Sequence, residues 1–208
     1  MARGKYIVFE GGGGSGKDTL INFLKEKLKG RGDVVFTRAP GGTVVGEKIR
    51  ELLLSGEARD MHPRTELFLF LAAHAELLEK VVTPALEEGK IVVSNRSTLS
   101  LIAYQIYGRE QQAELPMVQE ALKLATRGIT PDVCVFLDAD PELAIKRAEK
   151  RPETPHRFVK EDLDFQKRVR EGYKAHLTSF APKTITIDTS GTPEEAWKKT
   201  EEALQSIL

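Results

Sequence analysis

Gly11-Gly12-Gly13-Gly14-Ser15-Gly16-Lys17-Asp18-Thr19 is the stretch of this chain with the plainest chemistry. Only glycine lets backbone approach a bulky oligoanion this closely. Successive N–H groups in such a loop point into one concavity. A helix starting just after it adds partial positive charge. Lys17 can then reach the outer phosphates of a nucleotide. Such a loop needs a rigid frame, and its neighbours supply one. Tyr6-Ile7-Val8-Phe9 reads as a buried strand, and Leu20, Ile21, Phe23, Leu24 and Leu28 repeat at helical spacing.

The spacing fits the Walker A pattern: Gly11, four residues, Gly16, Lys17. It has one fault. The residue after the lysine should carry a hydroxyl for magnesium, yet it is Asp18, with Thr19 one place later. Gly11, Gly13 and Gly16 also fit the dinucleotide fingerprint G-x-G-x-x-G. That reading requires an acid about 20 residues on, at the end of the second strand. The second strand, Val34-Val35-Phe36-Thr37, ends in Arg38, and the dinucleotide reading gives Lys17 no task. The phosphate loop is the better reading.

Strand candidates fall at 5–10, 33–37, 90–94, 132–138 and 184–188, with helical stretches between them. This alternation predicts an α/β fold, a five-stranded parallel sheet with helices on both faces. Ligands of such sheets bind beyond the C-terminal strand ends. Glu10 and the glycine loop, Arg38, Asn95-Arg96 and Asp138 all fall there. Helix starts are marked by Pro63, by Asp140 before Pro141, and by the capping box of Thr192 and Glu195. A helix over Thr65–Leu78 is expected, with Pro84 ending or kinking its continuation.

No linker, repeat or low-complexity tract divides the 208 residues, so one domain over 1–208 is expected. Lys plus Arg number 31, as do Asp plus Glu, so no global field attracts nucleic acid. The single cysteine, Cys134, excludes an internal disulfide and sits in an apolar run, as an inert buried thiol would. No signal peptide and no apolar run of ~18 residues is present, which predicts a cytoplasmic protein without a membrane segment. Residues 150–161 carry two prolines and several cations between two helices. A solvated loop is one reading. A basic lid that excludes water from phosphoryl transfer is the other.

Several further segments resemble the thymidylate kinase family, over nearly the whole chain. They are Phe9-Glu10-Gly11 with the loop through Lys17, Thr37-Arg38-Ala39-Pro40-Gly41-Gly42-Thr43, Gly46-Glu47-Lys48-Ile49-Arg50, and Thr65-Glu66-Leu67-Phe68-Leu69-Phe70-Leu71-Ala72. Ser100, Ala103-Tyr104-Gln105, Tyr107-Gly108-Arg109, Arg157-Phe158 and Val169-Arg170-Glu171-Gly172-Tyr173 continue the likeness. The resemblance implies a P-loop NTPase-type fold with a short basic lid, ATP and Mg2+, dTMP as acceptor, and a homodimer. It places Gly11 to Thr19 on ATP, and Arg38 and Arg96 on the acceptor phosphate with Arg50 nearby. Glu10 joins the acceptor site. Phe70 would stack on the base, Tyr104 would lie beside the sugar, and Ser100 and Gln105 would border the base edge. Gly14 stands where some members have an arginine. Arg147, Arg151 and Arg157 are then the candidates for that charge, and Arg151 and Arg157 join Lys17, Arg38 and Arg96 as expected catalytic groups.

The departures from the family pattern cluster in the acceptor and metal sites. Gly13 replaces an acid, Asp18 a hydroxyl residue, Ala39 a glutamate, and His74 the arginine that bonds the base carbonyl. Asn95-Arg96-Ser97 replaces Asp-Arg-aromatic, and His156-Arg157-Phe158-Val159 replaces the lid's Asp-Arg-Phe-Glu. Asp18 can compensate for Asn95 by moving a metal carboxylate from the third strand to the loop helix; it can also simply sit well at a helix start. His74 is expected to offer a shorter donor near the base. The polar losses predict a broadened or shifted acceptor choice, another nucleoside monophosphate included. A weakly active nucleotide-binding relative is the other alternative.

Overall fold

The computed structural model describes residues 3–58, 60–150, 158 and 161–208. Five strands form one parallel sheet: β1 (Lys5–Glu10), β2 (Val34–Arg38), β3 (Ile91–Asn95), β4 (Val133–Asp138) and β5 (Lys183–Asp188). Their order is β2-β3-β1-β4-β5, with Phe9 in register with Asn95 on one side and with Val135 on the other. β1 is buried on both faces, and alternate residues serve two separate cores. Tyr6 and Val8 pack with Val92, Cys134 and Phe136 on one face. Ile7 and Phe9 pack with Val93, Val135 and Leu137 on the other. Helices α1 (Lys17–Lys27) and α9 (Pro193–Leu204) cover the second face through Leu20, Leu24, Ala196 and Leu204. Helix α3 (Pro63–Leu77) and helix α8 (Leu163–Phe180) cover the first through Leu67, Leu77, Phe165 and Tyr173. Cys134 is buried and unbridged, and burial pushes its thiol up, so it is inert.

Several helix starts are those the sequence marks. Asp140 accepts from the Glu142 and Leu143 amides ahead of α7 (Pro141–Glu149), and Thr192 and Glu195 form the reciprocal box before α9. Thr43 caps α2 (Val44–Leu54) through the Gly46 amide. Pro84 gives a different outcome from a plain helix end. The helix passes through a wide π turn, Leu78–Val82, and resumes as α4 (Thr83–Glu87) with Pro84 in its first turn. The wide turn lets the ring in without a clash at the preceding carbonyl. A second π segment, Ile102–Gly108, extends the short α5 (Thr98–Leu101), and a last helix, α6 (Leu115–Thr126), packs on α3. Among the described residues, no helix is long and apolar enough to cross a membrane.

Candidate active site

The C-terminal ends of β1 to β4 converge on one edge of the sheet, where the loop 11–16 opens. A cavity of about 480 Å³ is lined there by Gly13 to Asp18, Arg38, Arg50, Asn95 and Arg96. Gly14 has φ 74°, and a Cβ on it would lie 2.0 Å from the Ala144 carbonyl oxygen of α7. No side chain fits there without moving α7, so the charge some relatives place at this position has no room here. Gly14→Ala is therefore expected to raise the KM for a nucleoside triphosphate at least tenfold, a cost of about 1.4 kcal/mol in binding. A nucleotide titration of the folded variant checks this, and wild-type affinity would contradict it.

Lys17 is buried, and its ammonium donates to the Gly11 carbonyl (2.8 Å), the Gly12 carbonyl (2.7 Å) and Ser15 Oγ (3.1 Å). The lysine thus shapes the loop as well as supplying charge. Asp18, in the first turn of α1, accepts from Asn95 Nδ2 at 2.7 Å. That leaves Asn95 Oδ1 buried without a partner, and Thr37 Oγ1 is in the same condition. Asp18, Asn95 and Thr37 all line this cavity. A carboxylate with an amide and a hydroxyl oxygen suits the hard-oxygen preference of magnesium. No group of three or more His, Cys, Asp or Glu that could hold a metal occurs among the described residues. Any such ion must therefore draw most of its ligands from phosphates and water, as magnesium commonly does.

Arg50 and Arg96 line both this cavity and the next, and Arg38 lines this one. Arg38 pairs with Glu47 (2.8 Å), which holds the Glu47 carboxyl below its ordinary range. Arg50 donates to the Pro40 carbonyl (3.0 Å). Burial, and then the charges of Arg38 and Arg96, hold Arg50 below the usual guanidinium value. That mutual repulsion among cations is what an anion placed between them would relieve. Arg96 donates to the Gly11 carbonyl (2.9 Å), Ser100 Oγ (2.9 Å), Tyr173 Oη (2.8 Å) and Tyr104 Oη (3.2 Å). Burial works against its charge, but Tyr104, Tyr173 and Glu10 outweigh it and raise its pKa. Its backbone is left-handed, φ 72°, a strain of about 1–3 kcal/mol of the kind stored at functional sites.

Glu10 departs from its expected place. It is fully buried and is not part of either cavity wall. Its carboxylate accepts from the Ser97 amide and hydroxyl (2.7 Å each) and from Ser100 Oγ (2.6 Å). Burial raises its pKa, and Ser100, Ser97, Arg96 and Lys17 oppose that rise. Glu10 thereby braces the turn that carries Arg96 through Ser97. Tyr173 completes this hub from α8 by donating to the Gly11 carbonyl at 3.2 Å.

The second cavity is lined by Phe70, His74, Ser100, Tyr104, Gln105 and Phe158, with Arg50 and Arg96 at its border. Phe70 and Tyr104 each stand 5.9 Å, ring to ring, from Phe158. Those two rings and the Gln105 edge are where a base site was expected. Ser100 lines the cavity but spends its hydroxyl on Glu10 and Tyr173. A third cavity lies on the far side of the loop, lined by Thr19, Arg147, Gly191 and Thr192. Arg147 donates to the Thr189 carbonyl (2.7 Å) and the Gly191 carbonyl (3.2 Å). It thus bonds to the β5–α9 loop while lining the same cavity as Gly14, Ser15 and Gly16. Arg151, Arg157 and most of the lid at 150–161 lie outside the described residues.

Tyr173 supports the loop without any mark of that role in the sequence. Tyr173 reads as a core aromatic at helical spacing. Nothing local shows that its hydroxyl reaches a glycine 162 positions away.

A parallel α/β sheet with a glycine loop, a lysine and a helix start at the end of β1 defines a P-loop nucleotide-binding protein. Residues 9–200 match the thymidylate kinase family. The thymidylate kinase of Pelotomaculum thermopropionicum is 40% identical over 212 residues, covering 99% of this chain and 97% of that one. That of Chlorobaculum parvum is 43% identical over 210 residues, covering 97% and 95%. The crystal structure of thymidylate kinase from Ehrlichia chaffeensis superposes with a TM-score of 0.79 at 27% identity, covering 98% of this chain and 100% of that one. This chain belongs to the thymidylate kinase family, and is a nucleoside-monophosphate kinase.

Proposed function

We propose that the chain transfers the γ-phosphoryl group of ATP to dTMP, giving dTDP and ADP. One observation carries this reading: Arg50 and Arg96 line both the phosphate-loop cavity and the aromatic cavity, and Arg38 joins them in the wall of the first. The loop amides and Lys17 hold the triphosphate. The adenosine end lies in the cavity beside Arg147 and Thr192, and the acceptor base lies between Phe70 and Tyr104. The acceptor phosphate then meets the γ-phosphate among the arginines. Catalysis is positioning plus charge stabilisation, with no covalent enzyme intermediate. The lid arginines Arg151 and Arg157 are proposed to complete the charge. A coupled assay of ADP release with ATP-Mg and dTMP tests this. Turnover requiring both nucleotides supports it, and no turnover with any nucleoside monophosphate refutes it.

Asp18 and Asn95 are proposed to hold magnesium, which when bound neutralises phosphate charge. Their hydrogen bond supports a relocated carboxylate: with Asp at position 95, two carboxylates would face each other across 2.7 Å. Asp18→Thr and Asn95→Asp should each lower kcat and raise the Mg2+ half-saturation, and the double variant should recover much of both. The expected interaction is roughly 0.5–3 kcal/mol; simple addition of the single effects would contradict it.

A cytoplasmic homodimer is the proposed working form. Leu52 on α2, Phe68 on α3 and Leu124 on α6 are exposed, and α2 and α6 both pack on α3. Exposed apolar groups on neighbouring helices are what a partner subunit would cover. Phe68→Glu should give a folded monomer by analytical ultracentrifugation, and an unchanged dimer, or a wild-type monomer, would contradict the assignment.

A further inference from the structure

One backbone oxygen joins the two cavities. The Gly11 carbonyl accepts from three donors on three separate elements: Lys17 Nζ of α1 at 2.8 Å, Arg96 Nη1 beyond β3 at 2.9 Å, and Tyr173 Oη of α8 at 3.2 Å. A carbonyl oxygen has two lone pairs, so these donors compete. Lys17 lines the phosphate-loop cavity, and Arg96 lines both cavities. The Lys17 ammonium has three N–H bonds, and Gly11, Gly12 and Ser15 each receive one. A phosphate that enters must draw the ammonium off at least one of these partners. Arg96 Nη1 has two N–H bonds for three acceptors, the Gly11 carbonyl, Ser100 Oγ and Tyr173 Oη. Its aim therefore depends on how much of the Gly11 oxygen is left to it.

Tyr173 is the fixed point of this set. Its ring is fully buried, 5.4 Å from that of Phe136. Burial holds the phenol well above its ordinary pKa, against the pull of Arg96, so it keeps its proton. Gly172 brings it close. A Cβ there would lie 2.8 Å from the Tyr107 Cβ and 3.0 Å from the Ala103 Cα, so α8 packs tightly on the π segment. Ser100 gives its own proton to Glu10 at 2.6 Å. The Tyr173 proton then has three acceptors: Ser100 Oγ at 2.7 Å, the Gly11 carbonyl at 3.2 Å and Glu10 Oε2 at 3.3 Å. With Lys17 on Gly11, the shorter Ser100 bond wins. With Lys17 withdrawn, a lone pair on Gly11 comes free, and Arg96 and Tyr173 hold that oxygen together.

We propose that Tyr173 is a positioning residue that couples the two cavities: a triphosphate draws Lys17 away, the Gly11 carbonyl passes to Arg96 and Tyr173, and the guanidinium is fixed for the monophosphate. The two nucleotides then bind with positive synergy, and by linkage each tightens the other by the same factor. The inference rests on the kinase reading above and adds a coupling between its two sites.

Isothermal titration of dTMP tests this, with and without a saturating non-hydrolysable ATP analogue and Mg2+, on the wild type and Tyr173→Phe. The analogue should tighten dTMP binding to the wild type about fivefold or more, the lower end of common couplings. Tyr173→Phe keeps the ring and leaves the Gly11 carbonyl two donors, one for each lone pair. Both nucleotides should still bind it, and the tightening should fall to no more than about twofold. A tyrosine that only filled space would lower the melting temperature and leave the ratio alone, so an unchanged ratio overturns the inference. A crystal structure of the wild type with the analogue reads the first step without a substitution. Lys17 Nζ should leave the Gly11 carbonyl, with Arg96 and Tyr173 still on it. Lys17 retained there, or a wild-type dTMP affinity indifferent to the analogue, also overturns the inference and leaves the kinase reading standing. Failure of either nucleotide to bind the wild type overturns both.

Discussion

Lys17→Met is expected to lower kcat by about a thousandfold, the loss typical when one preorganised donor is removed from a developing charge. The KM for the monophosphate should change little, because Lys17 does not line the aromatic cavity. The ammonium also ties Gly11, Gly12 and Ser15 together, so part of the loss will come from a looser loop. A thermal melt separates that from collapse of the fold. The core beneath the loop, Ile7, Phe9, Leu20 and Leu24, does not use Lys17, so the melt should stay cooperative. Steady-state kinetics with ATP-Mg checks the expectation, and a variant within a few fold of wild type would contradict the role given to this residue.

Arg96→Met should lower kcat/KM by about two to three orders of magnitude. It should act mainly through the monophosphate, since Arg96 stands at the border of both cavities. It should also destabilise the chain by about 1–3 kcal/mol, because the Gly11 carbonyl and the Tyr173 and Tyr104 hydroxyls lose a charged donor. Arg96→Lys should not rescue it. An ammonium is a point donor and cannot serve a forked set of partners and a phosphate together. Rescue by lysine in both kinetics and denaturant midpoint would show that charge alone matters at this position.

The sheet was legible because β1, β3 and β4 are buried on both faces and so appear as short apolar runs, with the half-exposed β2 and β5 at its edges. Asp140, Thr192 and the glycine loop each acted through local chemistry, and local chemistry is what a sequence carries. Pro84 marked an interruption of the helix, but its form, a π turn over Leu78–Val82 before α4, has no local sign in the sequence. The site was partly legible. Lys17, Arg38 and Arg96 follow strand ends as expected, whereas Arg50 comes from the middle of α2. Glu10 was placed on a ligand because a strand-end carboxylate usually faces one. Here Ser97 and Ser100 claim it from 87 and 90 positions away. Sequence made His74 a donor. In the structure its Nδ1 lies 3.0 Å from the Phe70 carbonyl oxygen, a contact with no signature in residue spacing.

The proposed arrangement has the loop with Lys17 and the aromatic cavity binding the two ends of one reacting system across Arg50 and Arg96, with Arg38 on the loop side. A single molecule that links adenosine to thymidine through a chain of phosphates spans both places. Isothermal titration of such a bisubstrate compound tests the claim most directly. The account expects it to bind at least a hundredfold more tightly than ATP or the monophosphate alone, because linking makes the second contact intramolecular. Binding no tighter than ATP alone would contradict the account.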